Sequence, residues 1–316
     1  MPRLLPEEWN ACSPAEMAAR VRTTGLPRRL FELMRDEDLG PTGIDATAAA
    51  IDGGPSGSEI EAAVRAREAC TAAGLAFAAD LASVFGDAGD AGAAQFEATV
   101  EDGARIDAGM MAGVLRGPLG AVVRTERALL NLLGRLSGVA TRAAAFAAEI
   151  PTGSACRVFD TRKTTPGLRA LEKHAVRCGG ACCHRMGLHD AVLIKDNHIS
   201  AIPDGELAGF VRAAAERGRA AGASFVEVEV DRLAQLERLA ALEAGVIDVV
   251  LLDNMGDSDL RTAAALRDGR QPGLLLEASG GVTLDRIASI ARTGVDRISV
   301  GSITRDAATV DFGLDR

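Results

Sequence analysis

Lysine is nearly missing from this chain of 316 residues: of 35 basic residues only three are lysine, and tyrosine is absent. The chain is rich in Ala and Gly, so the composition has drifted toward Arg and Ala. The formal charge is −9, which offers nucleic acid or an anionic membrane no general attraction. No apolar run approaches the roughly 20 residues that span a bilayer. The opening MPRLLPEEWN lacks the apolar core of a signal peptide. Cysteines at 12, 70, 156, 178, 182 and 183 follow no disulfide-framework spacing. The setting expected from these absences is soluble, reducing and cytoplasmic.

What little lysine there is lies in one place. Lys163, Lys173 and Lys195 share the span 163–198 with all four histidines, His174, His184, His189 and His198. A compact ammonium and a planar guanidinium differ chemically, so lysines that survive such a drift mark positions where arginine does not serve. Residues 157–195 carry a local excess of +5, and the remainder of the chain −14. A cationic island in an acidic chain suits a small, multiply charged anion.

The length allows one large domain or two of ordinary size. Residues 1–25 form a Pro-containing, charged lead-in whose order the sequence does not settle. Residues 26–130 mix short helical and strand signals, with Gly and Pro punctuation at DLGPTGID, IDGGPSGS and FGDAGDAGA. The segment RTERALLNLLGRLSGVATRAAAFAAEI predicts a long amphipathic helix or helix pair. Leu129, Leu130, Leu132, Leu133 and Leu136 form its apolar side. Arg127, Asn131 and Arg135 recur every four residues opposite, a stripe read as solvated surface.

After 150, β-branched runs (CRVFD, DAVLIKD, SFVEVEV, DVVLLDN, LLLEASGG, RISVGS) alternate with helical stretches. Repeated strand-helix units predict a parallel sheet, open or closed into a barrel. Each run ends in chemistry: Asp160 with Arg162 and Lys163, then Lys195, Glu229, Asp253, Ser279 with Gly280 and Gly281, and Gly301 with Ser302. In a β/α barrel those ends converge on one mouth, so they describe one pocket. Glu227 and Glu229 share a face of VEVEV and need compensation by Lys163, Lys195 or magnesium. Glu227 reads as a structural ion pair, Glu229 as functional. The SGGVT turn, with Thr283 as N-cap, sits where β/α barrels bind phosphate. Zinc at Cys178, Cys182, Cys183 and His184 is disfavoured by their spacing.

Together FDTRKTTPGLRALEKHAVRCGG, HRMGLHDAVLIKDNHI, VEVEVDRLAQLERLAALEAGV, VVLLDNM and LEASGGVTLDRIASIARTGVDRISVGSIT resemble the quinolinate phosphoribosyltransferase family. EDLGPTGIDAT and GPLGAVVRTERALLNLLGRLSGVATR extend the similarity to roughly residues 30–313. The resemblance implies an N-terminal α/β sandwich domain (26–130), an incomplete, open β/α barrel (131–304), and a C-terminal segment (305–316) returning to the first domain. It implies transfer of phosphoribose from phosphoribosyl pyrophosphate to quinolinate with decarboxylation, using Mg2+, in de novo NAD synthesis. Arg127, Arg162, His184, Arg185 and Lys195 would surround the quinolinate carboxylates. Lys163 would lie near the pyrophosphate and reacting centre. Glu229 and Asp253 would hold ribose hydroxyls directly or through magnesium, and Ser279, Gly280, Gly281, Gly301 and Ser302 the 5-phosphate. A homodimer, or a hexamer as trimer of dimers, would donate Arg127 across subunits. The chain departs from the family's pattern at Cys183, usually Asn, at His174 and His189, frequently Tyr, and at Cys70, usually Gly.

Three other readings compete. A family of the same fold associated with molybdenum transport would use another acceptor, and LIKDNH with the dense arginine set argues against it. A Schiff-base aldolase would need Lys195 desolvated, which Asp190, Asp196 and nearby arginines oppose. A non-catalytic binding barrel would not require every charged position to be retained.

Overall fold

The computed structural model describes residues 4–50, 58–86, 92–203 and 205–316. The turns expected at 51–57 and 87–91 lie outside the described residues. The chain divides into two compact units, each built from separate stretches. Met1–Ala11, Ala145–Lys163 and Ala181–Ile303 form the first, and Cys12–Ala144, Thr164–Gly180 and Thr304–Arg316 the second. Neither unit begins at the contiguous boundary expected near 130.

The strands, in chain order, are β1 Glu59–Ala66, β2 Cys70–Thr71, β3 Gln95–Ala98, β4 Arg105–Ile106, β5 Met111–Pro118 and β6 Arg157–Phe159. They continue with β7 Val192–Ile194, β8 Val226–Val230, β9 Val249–Asp253, β10 Leu275–Ser279, β11 Arg297–Ser299 and β12 Phe312–Asp315.

The second unit is an antiparallel sheet in the order β12-β1-β5-β3, with β2 and β4 paired separately. Alternation in β1 buries Ala62, Val64 and Ala66, the period of a sheet with one covered face. The helix Leu75–Gly86 contributes Phe77, Leu81 and Phe85 to this core.

The segment expected as a helix or helix pair is one helix, Leu119–Ala148, and Leu129, Leu130, Leu132, Leu133 and Leu136 are buried as their spacing predicts. Arg135 corrects the reading of its polar stripe as solvated surface. Its guanidinium reaches the Glu172 carboxylate at 2.8 Å and the Thr304 and Ala307 carbonyls at 2.6 and 3.0 Å. Glu172 is fully buried, and a buried carboxylate demands a cation. The chain returns along this helix near Gly138, where any Cβ would collide with the Ala308 carbonyl oxygen.

The lead-in folds. Glu7–Asn10 is one helical turn, and Ser13 opens the helix Pro14–Thr23 with a capping box. Ser13 Oγ accepts from the Glu16 N–H at 3.2 Å, and the Glu16 carboxylate accepts from the Ser13 N–H at 2.8 Å.

The first unit is a parallel sheet in the order β6-β11-β10-β9-β8-β7. Its end strands are not paired with each other, so the barrel is open; Cys182 adds a single parallel bridge to Phe159. The helices Leu207–Ala220, Leu233–Leu239, Asp257–Arg270 and Ile287–Ala291 connect successive strands from β8 onward and its predecessor β7. All five residues of β8 are buried: alternation turns its valines one way and Glu227 and Glu229 to the interior.

The same alternation stacks the interior in layers. Leu5, Ala191, Phe225, Val249 and Leu275 form an apolar floor. Two residues further along their strands come Leu193, Glu227, Leu251 and Glu277, with Arg297 paired beside Glu277. Above these, at the C-terminal strand ends, stand Lys195, Glu229, Asp253, Ser279 and Ser299.

Gly138→Ala is expected to destabilise the protein by about 1–3 kcal/mol through overpacking, read as a lower urea midpoint. An unchanged midpoint would show that this approach of chain to helix is not tight.

Candidate active site

The upper layers open into a cavity of about 320 Å³, within the range of small-ligand sites. Its wall joins Thr161, Arg162 and Lys163 after β6, His184 and Arg185, and Leu193 and Lys195 of β7 and its end. Glu229, Leu251, Asp253, Glu277, Ser279, Gly280 and Ser299 complete it. The inward positions of β7 to β11 thus supply half the lining, as period two requires.

The cationic wall is crowded. Arg185 is held by its Nη1 donating to the Ala191 carbonyl at 3.1 Å. Burial, with Arg162 close by, holds the pKa of its guanidinium below the ordinary value. Two guanidinium groups placed together repel unless an anion lies between them. Lys195 reaches across to Glu229, Nζ to Oε2 at 3.0 Å. The Lys163 side chain runs over Gly301, where a Cβ would stand 2.8 Å from Lys163 Cδ. Glycine there leaves the ammonium its path to the mouth.

Beneath the mouth lies a fully buried set of charges. His184 Nε2 is 2.9 Å from Glu227 Oε2 and 3.4 Å from Glu277 Oε1. Glu277 Oε2 accepts from Arg297 Nε at 2.5 Å. The Arg297 guanidinium also lies over the Phe159 ring at 3.8 Å. Burial alone would lower the His184 pKa, but Glu227 and Glu277 outweigh it and push it up to about 9. Burial would likewise raise Glu277, yet His184 and Arg297 hold it well below the usual carboxylate range. In the neutral ring, Nδ1 accepts from the Arg185 N–H at 2.7 Å; the imidazolium forms by giving up that bond.

On the far wall, Ser279 is followed by Gly280 at φ +93° and Gly281 at φ +56°. A side chain at Gly280 would strike the Asn254 carboxamide, so β10 and β9 meet there through glycine alone. Asn254 itself adopts φ +55°. Its N–H donates to the Ser279 carbonyl at 2.9 Å and its Nδ2 to Asp253 Oδ2 at 2.7 Å. Thr283 stands at the N-cap position, but its side chain makes no capping bond and the helix it opens is a short 3-10 turn. That corrects the capped helix start expected there, and leaves the glycine turn as the anion-binding feature.

Of the residues singled out in the sequence, Arg162, Lys163, His184, Arg185, Lys195, Glu229, Asp253, Ser279 and Gly280 share the cavity wall. Gly301 lies against Lys163 and Ser302 follows it in the chain, while Gly281 follows directly on the lining residue Gly280. Arg127 lies on the helix Leu119–Ala148 in the second unit, its side chain 68% exposed. Glu277, Ser299 and Arg297 were missed. Counting back two residues from Ser279 finds Glu277, and the same step from Ser299 finds Arg297, so the alternation that exposed Glu227 held this signal too. No disulfide joins the six cysteines, and all six are buried. His184 faces two carboxylates, whose oxygens and single imidazole are a poor match for a thiolate zinc site.

An open β/α barrel whose mouth gathers cations, two carboxylates and a glycine turn defines a class of enzymes that handle small phosphorylated anions. Two family models match: "Quinolinate phosphoribosyl transferase, C-terminal domain" over residues 139–315, and its N-terminal domain over residues 45–137. The chain belongs to the quinolinate phosphoribosyl transferase family. Among its relatives, the nicotinate-nucleotide pyrophosphorylase [carboxylating] of Mycobacterium leprae is 42% identical over 217 residues, covering 68% of this chain and 73% of that protein. The rat protein of the same name is 43% identical over 202 residues, 63% of this chain and 65% of that one. The solved nicotinate-nucleotide pyrophosphorylase from Francisella tularensis superposes with a TM-score of 0.79 at 32% identity, covering 92% of this chain and 96% of that one.

A raised imidazole pKa contributes stability that is fully present below pH 6.5 and is lost as pH rises through about 9. Wild type should therefore unfold more easily above that pH. Glu227→Gln should cost about 3–5 kcal/mol at neutral pH by breaking a buried pair, and should flatten the alkaline fall. Thermal melts across pH that match wild type in both respects would contradict this account.

Proposed function

We propose that this chain transfers phosphoribose from phosphoribosyl pyrophosphate to quinolinate, giving nicotinate mononucleotide, pyrophosphate and CO2 in de novo NAD synthesis. The observation that carries the reading is one cavity joining a wall of Arg162, His184, Arg185 and Lys195 to a glycine turn at Gly280. Such a wall suits a dicarboxylate, and such a turn a phosphate.

Charge placement does most of the chemistry. As pyrophosphate leaves, the ribose carbon becomes oxocarbenium-like and the pyridine nitrogen attacks it. The protein aligns the two and offsets the developing charges. Lys163, close to Gly301, meets the pyrophosphate oxygens, and Arg162 and Arg185 grip the carboxylates. The nitrogen, now quaternised, stabilises the carbanion left at C2 when CO2 departs, and that carbon then takes a proton. Glu229 and Asp253 hold the ribose hydroxyls. Their oxygen-only donor set suits a hard cation, and they would hold Mg2+, which supplies positive charge to pyrophosphate. One oxygen of each is already engaged, by Lys195 and Asn254, so such an ion would share substrate oxygens or water. The active form is a two-fold dimer, or a trimer of such dimers, in which the exposed Arg127 reaches the partner's site. The expected location is the cytoplasm.

Incubation with phosphoribosyl pyrophosphate and either acid, following product by mass, tests the reaction. Quinolinate should be converted. Nicotinate, lacking one carboxylate, should show kcat/KM at least about a thousandfold lower, because the site's cations are left unpaired. Comparable use of nicotinate would overturn the assignment, and no turnover of either would leave a binding barrel.

Lys163→Arg should lose about 2 kcal/mol or more of transition-state stabilisation, roughly thirtyfold in kcat/KM, although the charge is kept. The guanidinium is too broad for the narrow path over Gly301. Near-normal kcat would refute the special role of the ammonium.

A further inference from the structure

Residues 4–11 are part of the barrel unit, and they touch it at two separate levels. Leu5 seals the apolar floor, and its carbonyl accepts from Arg297 Nη1 at 2.7 Å. Five residues later Asn10, 4% exposed, meets the backbone of Cys183. Asn10 Nδ2 donates to the Cys183 carbonyl at 2.8 Å, and the Cys183 N–H donates to Asn10 Oδ1 at 2.7 Å. A carboxamide offers a donor and an acceptor side by side, so Asn10 pairs with this peptide as a neighbouring strand would.

The position of that peptide matters because the next two residues are His184 and Arg185, both on the cavity wall. Cys182 is fixed to β6, its N–H donating to the Val158 carbonyl at 2.8 Å. The His184 N–H donates to Asp160 Oδ1 at 2.7 Å. Asn10 holds the residue between them. Without its two bonds the stretch keeps both neighbours but can tilt at Cys183, which moves the imidazole and the guanidinium together. Such a tilt would disturb the carboxylate wall and spare the glycine turn at Gly280, which rests on β9 and β10.

We infer that Asn10 is a positioning residue for the acceptor's carboxylates: by clamping the Cys183 backbone it sets His184 and Arg185 in the cavity. The inference rests on the quinolinate reading of that cavity.

The test compares full-length wild type, Asn10→Ala and Leu5→Ala by steady-state kinetics in both substrates and by thermal melting. Asn10→Ala should raise the quinolinate KM about tenfold, as loss of a group that orients a ligand does, with the phosphoribosyl pyrophosphate KM changed less than about twofold. Leu5→Ala loosens the floor but leaves both Asn10 bonds; it should lower Tm without splitting the two KM values. Should Asn10→Ala not fold, Asn10→Asp carries the same expectation, because it keeps the shape and the acceptor but lacks the donor. A wild-type quinolinate KM in the Asn10 variant, or a parallel rise of both KM values, would overturn the inference. Wild type that fails to convert quinolinate would instead overturn the reaction on which the inference rests.

Discussion

Glu227, Glu277, His184 and Arg297 are each 5% exposed or less inside the barrel, and the mouth above depends on their neutralising one another. An isolated charge at that depth would lose several kcal/mol of hydration with nothing to offset it. Two carboxylates against an imidazolium and a guanidinium leave no net charge, and the alternation of β8, β10 and β11 puts them within reach. Once balanced, the set is a rigid base that holds His184 on the cavity wall. Arg297 joins that base to the floor through the Leu5 carbonyl. A barrel filled with aliphatic residues at this level would pack as well but would have nothing to orient an imidazole.

The mouth then divides its work by the type of positive charge. Arg162 and Arg185 bring planar guanidinium forks close together on the cavity wall. The lysines stand apart from these: Lys163 passes closely over a glycine, and Lys195 crosses to Glu229. Lys173, the third, is fully buried in the second unit, so lysine retention does not by itself mark the pocket.

Much of the barrel was legible because its signals are local. Six β-branched runs with polar residues at their ends became β6 to β11 in the expected order along the chain. Their ends share one cavity because parallel strands in one sheet must finish on the same side. The leucines of Leu119–Ala148 were legible for the same reason, since helical spacing fixes which residues share a face. Arg135 was misread because spacing says nothing of the buried Glu172, 37 residues away. The lead-in was left open although SPAE carries a capping box, a signal of only four residues preceding a helix rich in alanine.

The sequence by itself determined the family, the parallel barrel and most of the residues at its mouth, since each follows from a motif or a short-range period. The tertiary structure alone decided which charges oppose one another. His184 could have met substrate only, yet it rests on Glu227 and Glu277, and Arg297 crosses from β11 to Glu277 and on to Leu5. Asn10 meets Cys183 across 173 residues. Such pairings join groups whose separation along the chain carries no period, and they exist because a buried charge or polar group is stabilised by a complementary one wherever folding has brought it near.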